Sequence, residues 1–141
     1  MTEQTKARVN VKDLPISTKW AIEISNFIRN KPLSEAKKQL ELVLQYKLAI
    51  PLRRFTFDIG HRKGNMGPGF YPQKSTKYIL SLLNSAESNA EYKGMDLDRL
   101  RIVNATVHKG VIVKRFIPRA MGRATPKNNV LTHVELVAQE I

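Results

Sequence analysis

Eight cationic side chains stand between Arg99 and His133 with no carboxylate among them: Arg99, Arg101, Lys109, Lys114, Arg115, Arg119, Arg123 and Lys127. Lysine and arginine at this density neutralise a polyanion and hold its backbone in register. A second group, Arg53, Arg54, His61, Arg62 and Lys63, is interleaved with Phe55, Phe57, Phe70 and Tyr71. There, guanidinium and aromatic planes can also stack on unpaired bases. The plainer alternatives are a solvated basic loop for the first group and aromatics docked on the protein's own core for the second. Bond-making chemistry finds little support. His61, His108 and His133 are the only histidines, and none stands at metal-ligand spacing from another histidine or a carboxylate. Asp96 and Asp98 read as turn and cap residues, and Ser81, Ser85 and Ser88 have no nearby base to activate a hydroxyl. A metal-dependent nuclease needs clustered acids beside its basic surface, and the basic segments offer only Asp58. No catalytic residue, metal site or cofactor is therefore expected.

The distribution of charge is more informative than its total. The 141 residues carry a formal charge of +12. Residues 51–77 hold six Lys/Arg against one acid, residues 99–134 hold eight against none, and the remainder is nearly neutral. Two segments thus carry the positive field, which points to nucleic acid or an anionic membrane as partner. No apolar run approaches the roughly 18 residues that span a bilayer. The N-terminal MTEQTKARVN lacks an apolar signal core, so no secretory export is expected. The absence of cysteine excludes disulfide frameworks and thiolate metal sites and fits a reducing cytoplasm.

The elements that must position these groups are legible as periodicities. Residues 1–7 are polar and expected to fray; Ala7–Leu14 alternates and predicts a short edge strand ended by Pro15. Ser17 predicts an N-cap for a helix with Trp20, Ile24, Phe27 and Ile28 on its apolar stripe, which makes Trp20 a core residue rather than a stacking platform. A second helix over about 34–48 follows, capped by Ser34 with Glu35 in its first turn, and the short connection predicts an antiparallel pair. Residues 51–72, rich in glycine and proline, predict a long loop with no buried element; the glycines do not match a P-loop. Residues 73–93 return to helix, with Ile79, Leu82, Leu83, Ala86 and Ala90 at its period and Gly94 as the stop. Leu100, Ile102, Asn104 and Thr106 alternate with Arg101, Val103, Ala105 and Val107, and Val130, Thr132, Val134 and Leu136 repeat the pattern. Between them Pro118 and Pro126 exclude a central strand, so residues 114–127 read as the turn region of an extended hairpin. An arm of about 14 residues reaches roughly 45 Å. A two-stranded ribbon is marginal alone, and its uncompensated charge predicts a splayed tip unless an external polyanion supplies both charge and burial.

Three stretches carry a resemblance to a known family. KRFIPRAMGRATPKNN followed by a His-Val-Glu step, LLNSAESNAEYKGMDLDRLRIVNATVHKG, and GHRKGNMGPGFYP together resemble the large-subunit ribosomal protein twenty-two family, whose eukaryotic member is called seventeen. The third stretch is similar to the insertion of the archaeal and eukaryotic branch. The resemblance covers nearly the whole chain. It implies an α+β fold, with a small antiparallel β-sheet packed on three α-helices and one long extended β-hairpin. A single domain is expected, with a body over about 7–99 and 134–141, a hairpin over about 100–137 with its tip at 114–127, and a basic insertion at 51–72. It further implies a cytoplasmic, non-enzymatic structural constituent of the large ribosomal subunit. Its partners would be large-subunit rRNA, neighbouring ribosomal proteins and the nascent polypeptide, with no membrane. Arg53, Arg54, His61, Arg62, Lys63, Lys109, Lys114, Arg115, Arg119, Arg123 and Lys127 are the expected RNA contacts. Arg62 and Lys63 would anchor the insertion, and Met121, Gly122 and Arg123 would face the exit tunnel. The alternative is a general nucleic-acid-binding protein of chromatin or RNA-chaperone type.

Overall fold

The computed structural model describes residues 6–141. The frayed start expected over residues 1–7 lies outside them for residues 1–5, while Lys6 and Ala7 already belong to a strand. Among the described residues the chain runs β1 (Lys6–Leu14), α1 (Thr18–Ile28), α2 (Leu33–Leu44), β2 (Ile50–Pro51), β3 (His61–Arg62), β4 (Gly67–Phe70), α3 (Gln73–Tyr92), a 3-10 turn (Leu97–Arg99), β5 (Leu100–Val113), β6 (Phe116–Pro118), β7 (Ala124–Pro126) and β8 (Asn129–Glu140). This is the α+β architecture expected.

The main sheet is antiparallel in the order β1-β8-β5. Its inner face carries Ala7, Val9, Leu100, Ile102, Ala105, Val134, Leu136 and Ala138, all buried. Helix α1 packs across β5, α3 covers β1 and β8, and α2 lies against α3. Ile24 and Ile28 from α1, Leu40 from α2 and Ile79 and Leu83 from α3 meet the sheet in one fully buried cluster. The stripe predicted for α3 is buried throughout, and Gly94 ends that helix with its amide on Glu91 O at 2.9 Å.

Several expectations need correction. The strict alternation of β5 fails, because Ile102 pairs with Ala138 but Asn104 with Val137, which skips Val103. One extra residue reverses the parity of the strand. Ala105 therefore enters the core, while Asn104, expected on the side of Leu100 and Ile102, is exposed. Helix α2 ends at Leu44 rather than 48, where Tyr46 adopts φ 58°, and Pro32 rather than Ser34 occupies its cap position. Ser17 caps α1 by position but makes no side-chain cap bond. Helix α2 finds its packing partner in α3 rather than in α1, against the pairing expected. The turn connecting α1 and α2 is tied to β5: the Asn30 amide donates to Ile102 O at 2.8 Å and the Ile102 amide to Lys31 O at 3.0 Å. In that turn Lys31 lies 3.5 Å from the centre of the Phe27 ring and donates to Gln39 Oε1. Burial holds its pKa below the usual 10.5, with Glu35 opposing.

The hairpin leaves the body at a second irregularity of β5, between Lys109 and Ile112. Gly110 lies there, and a Cβ on it would stand 2.8 Å from His133 Cε1 and 2.9 Å from Asp13 Oδ1. The Asp13 amide in turn donates to His133 Nδ1 at 3.0 Å. The tip is paired rather than open. Strands β6 and β7 continue the ribbon, and the Lys127 amide donates to Arg115 O at 2.6 Å. Pro118 and Pro126 sit inside these strands, which a two-stranded ribbon permits because each strand keeps a free edge that needs no donor. Met121 and Gly122, at φ 57° and 65°, turn the chain, and the Arg119 amide closes on Arg123 O at 2.8 Å. Phe116 and Met121 are exposed, and β6 and β7 pack essentially on each other alone.

Two outcomes follow. Replacing residues 114–127 by a two-residue Asn-Gly turn should leave helical circular dichroism unchanged and shift unfolding by less than about 1 kcal/mol. Loss of the helical signal would contradict the independence of body and tip. For Lys31, the folded pKa lies below the unfolded one, so the unfolded chain binds more protons in the window just below 10.5 and stability rises with pH there. Urea midpoints across that window should climb less steeply for Lys31→Met than for the parent chain.

Candidate nucleic-acid interface

The basic segment after α2 is held by a residue of α1 that the apolar stripe conceals. Glu23 is 1% exposed. Its carboxylate accepts the backbone amides of Arg53 at 3.1 Å, Arg54 at 2.7 Å and Phe55 at 2.8 Å. Among the described residues no cationic side chain pairs with it. Three amides therefore satisfy a buried anion, each charge-assisted bond contributing about 1.5–3 kcal/mol. With their main chain fixed, Arg53 and Arg54 present their side chains outward.

Most of residues 51–72 is turn and loop as expected, but short strands within it pair. Strands β2, β4 and β3 form a small antiparallel sheet, Ile50 pairing with Phe70 and His61 with Pro68. Leu52 is buried. Aromatic contacts pin the segment to the body: Trp20 stacks on Phe70 with centroids 4.6 Å apart, and Tyr46 meets Tyr71 at 5.5 Å. Trp20 is half-buried and serves this stack. Phe55 lies under the cations of Lys19 and Arg54, at 5.8 and 5.3 Å. Arg62 donates from Nε to Gly69 O at 3.1 Å and covers the Tyr71 ring at 5.2 Å. The aromatics are thus largely committed to the protein itself, and Phe57 alone of the four projects freely, at 88% exposure.

Every residue expected to touch RNA is on the surface: Arg53, Arg54, His61, Arg62, Lys63, Lys109, Lys114, Arg115, Arg119, Arg123 and Lys127 are all exposed. Among the described residues none of them pairs with a carboxylate. The ion pairs lie elsewhere, Arg8 with Glu135 at 2.6 Å, Lys37 with Glu87, and Arg99 with Asp96 at 3.5 Å. As expected, Asp96 also caps the 3-10 turn, accepting the Asp98 amide at 3.1 Å. The cations do not form one patch. Lys114, Arg115, Arg119, Arg123 and Lys127 are distributed along β6, β7 and their flanks. Lys109, at the base of the arm, lines a depression with Lys19 from α1 and Lys74 from α3. Arg54 lines another with Arg29 and His108. The fold brings Lys19 and Arg29 to the basic surface beside Lys74, which the charge count over residues 51–77 already included. Glu23 has a weak signal, a carboxylate three residues after Trp20 on a buried stripe. Among the described residues no group of histidines and carboxylates could hold a metal ion, and no helix is long and apolar enough to cross a membrane.

Comparison with known proteins fits this geometry. Residues 9–139 match the family described as ribosomal protein L22p/L17e. The large ribosomal subunit protein uL22 of Nitrosopumilus maritimus is 56% identical over 135 residues, covering 95% of this chain and 89% of its own length. The protein of the same name from Cenarchaeum symbiosum is 55% identical over 134 residues, covering 94% and 88%. That of Archaeoglobus fulgidus is 47% identical over 140 residues, covering 97% and 90%.

Removing the buried acceptor tests the construction of the site. Glu23→Ala strands three amides and should cost about 2–5 kcal/mol, read from the urea midpoint. Hydrogen exchange should accelerate at Arg53, Arg54 and Phe55 before it does in α3. Unchanged exchange at those amides would show that the carboxylate does not hold the segment.

Proposed function

The chain belongs to the ribosomal protein L22p/L17e family, and from that premise we propose that it is a non-catalytic structural constituent of the large ribosomal subunit that binds large-subunit rRNA. The observation that carries the RNA-binding role is the set of exposed cations without carboxylate partners on a ribbon and a clamped basic segment. A surface of this kind is stabilised by RNA phosphates, and counterion release favours the complex. Arg53, Arg54, His61, Arg62 and Lys63 contact RNA from the clamped segment, in which Arg62 braces the backbone at Gly69. Lys109, Lys114, Arg115, Arg119, Arg123 and Lys127 contact it along the arm. The arm, with both faces open, is completed by the RNA it enters. Met121, Gly122 and Arg123, at the outermost turn, face the lumen through which the nascent polypeptide leaves. Neighbouring large-subunit proteins are the remaining partners.

Binding to large-subunit RNA measured against salt tests the proposal. The logarithmic slope should be steep, at about −0.7 to −0.9 per phosphate contacted. Replacing Lys114, Arg115, Arg119, Arg123 and Lys127 by alanine should flatten it by roughly 4. Equal affinity for any duplex, with free protein in a sedimentation gradient at physiological salt, would favour a general nucleic-acid binder instead.

A further inference from the structure

A recess between α1, Arg54 and the middle of β5 is lined by Ile22, Ser25, Asn26, Arg29, Thr106 and His108, with Ala105 and Val107 as further apolar wall. Its volume is about 230 Å³. Pockets that enclose drug-sized ligands run to about 300–1,000 Å³, so this one suits a smaller group. Arg29 is anchored by one guanidinium nitrogen on Ala105 O at 2.8 Å, which leaves its other donors for something outside the chain. Arg54 is set in place through its own amide, held by Glu23 Oε1 at 2.7 Å.

The chemistry of the lining separates a nucleotide from a bare phosphate. Cations, hydroxyls and amides all serve a phosphate, which has no use for an apolar wall. Here the guanidinium groups share the recess with Asn26 and Thr106, which offer neutral donors and acceptors, and with the apolar surfaces of Ile22, Ala105 and Val107. That combination matches a planar base with a polar edge attached to a charged backbone, the form in which unstacked RNA bases are read. Resting on the proposed RNA-binding role, we propose that this recess takes a single unstacked nucleotide of the RNA. Its base lies against Ile22, Ala105 and Val107, and its edge meets Asn26 and Thr106. Its phosphate is held by Arg29 and Arg54.

Full-length protein bound to large-subunit RNA provides the test, with base-edge chemical probing and affinity measured together. The parent chain should protect the Watson–Crick edge of one unpaired nucleotide. Asn26→Ala should abolish that protection and weaken binding about 3–30-fold without changing the salt slope, because a neutral side chain releases no counterion. Arg54→Ala should reduce the slope by roughly one contact. Protection and affinity unchanged in Asn26→Ala, with parent binding still tight and salt-steep, would overturn the recess and leave the RNA-binding role intact. Failure of the parent chain to bind the RNA would overturn that role and the recess with it.

Discussion

Like charges that cannot escape one another set the terms for this fold. The cations of residues 99–134 share a stretch without a single acid, and the outer ones stand on a ribbon two strands wide. A core could not accept them, because an unpaired buried charge is far costlier than a solvated one. A wide sheet would pack them closer. A slender projection spreads them along its length and keeps each side chain in water. The acids are in the remainder of the chain, where Arg8 and Lys37 pair with them, and Arg99, at the foot of the stretch, reaches back to Asp96. Charge separation between body and arm is therefore an organising feature of the molecule.

The second basic segment meets the same constraint differently. It is brought against the body by contacts that spare its cationic heads: three main-chain amides on Glu23, a ring stack at Trp20 and a second ring contact at Tyr46. Arg62 turns its guanidinium to the segment's own backbone, at Gly69. A negative side chain thus secures a positive segment through the backbone rather than through neutralisation, and the field of Arg53 and Arg54 stays outside. Because Glu23 belongs to the helix that crosses β5, the segment and the base of the arm share one support.

How far the sequence could be read varies along the chain for identifiable reasons. The α3 stripe and the alternation of Thr132, Val134 and Leu136 were plain, since each faces one partner over its whole length. The exposed cations of the outer arm could be named individually, because the acids nearest in sequence lie beyond the ends of the run. Strand β5 misled, as its bulge at Val103 depends on how β8 pairs with it rather than on its own residues. The end of α2 misled because Tyr46 and Lys47 are adequate helix formers. The chain leaves the helix there to bring Ile50 opposite Phe70, a tertiary demand. Strands of two to four residues containing glycine and proline carry no periodicity, so the small sheet was invisible. Glu23 could be noticed as an oddity on its stripe, but its partners lie some thirty positions away.

The borders of the main sheet have a bearing on the protein before it meets any partner. On one side the α1–α2 turn satisfies Ile102 in both directions. On the other, side chains of α3 reach carbonyls of β1, Asn89 to Arg8 O at 3.2 Å and Lys93 to Lys6 O at 2.6 Å. A sheet whose margins are occupied in this way offers little template for a strand from another molecule. Strand addition by another copy is thereby opposed at the body of the sheet, which leaves the free edges to the arm, where the like charges of two copies repel one another.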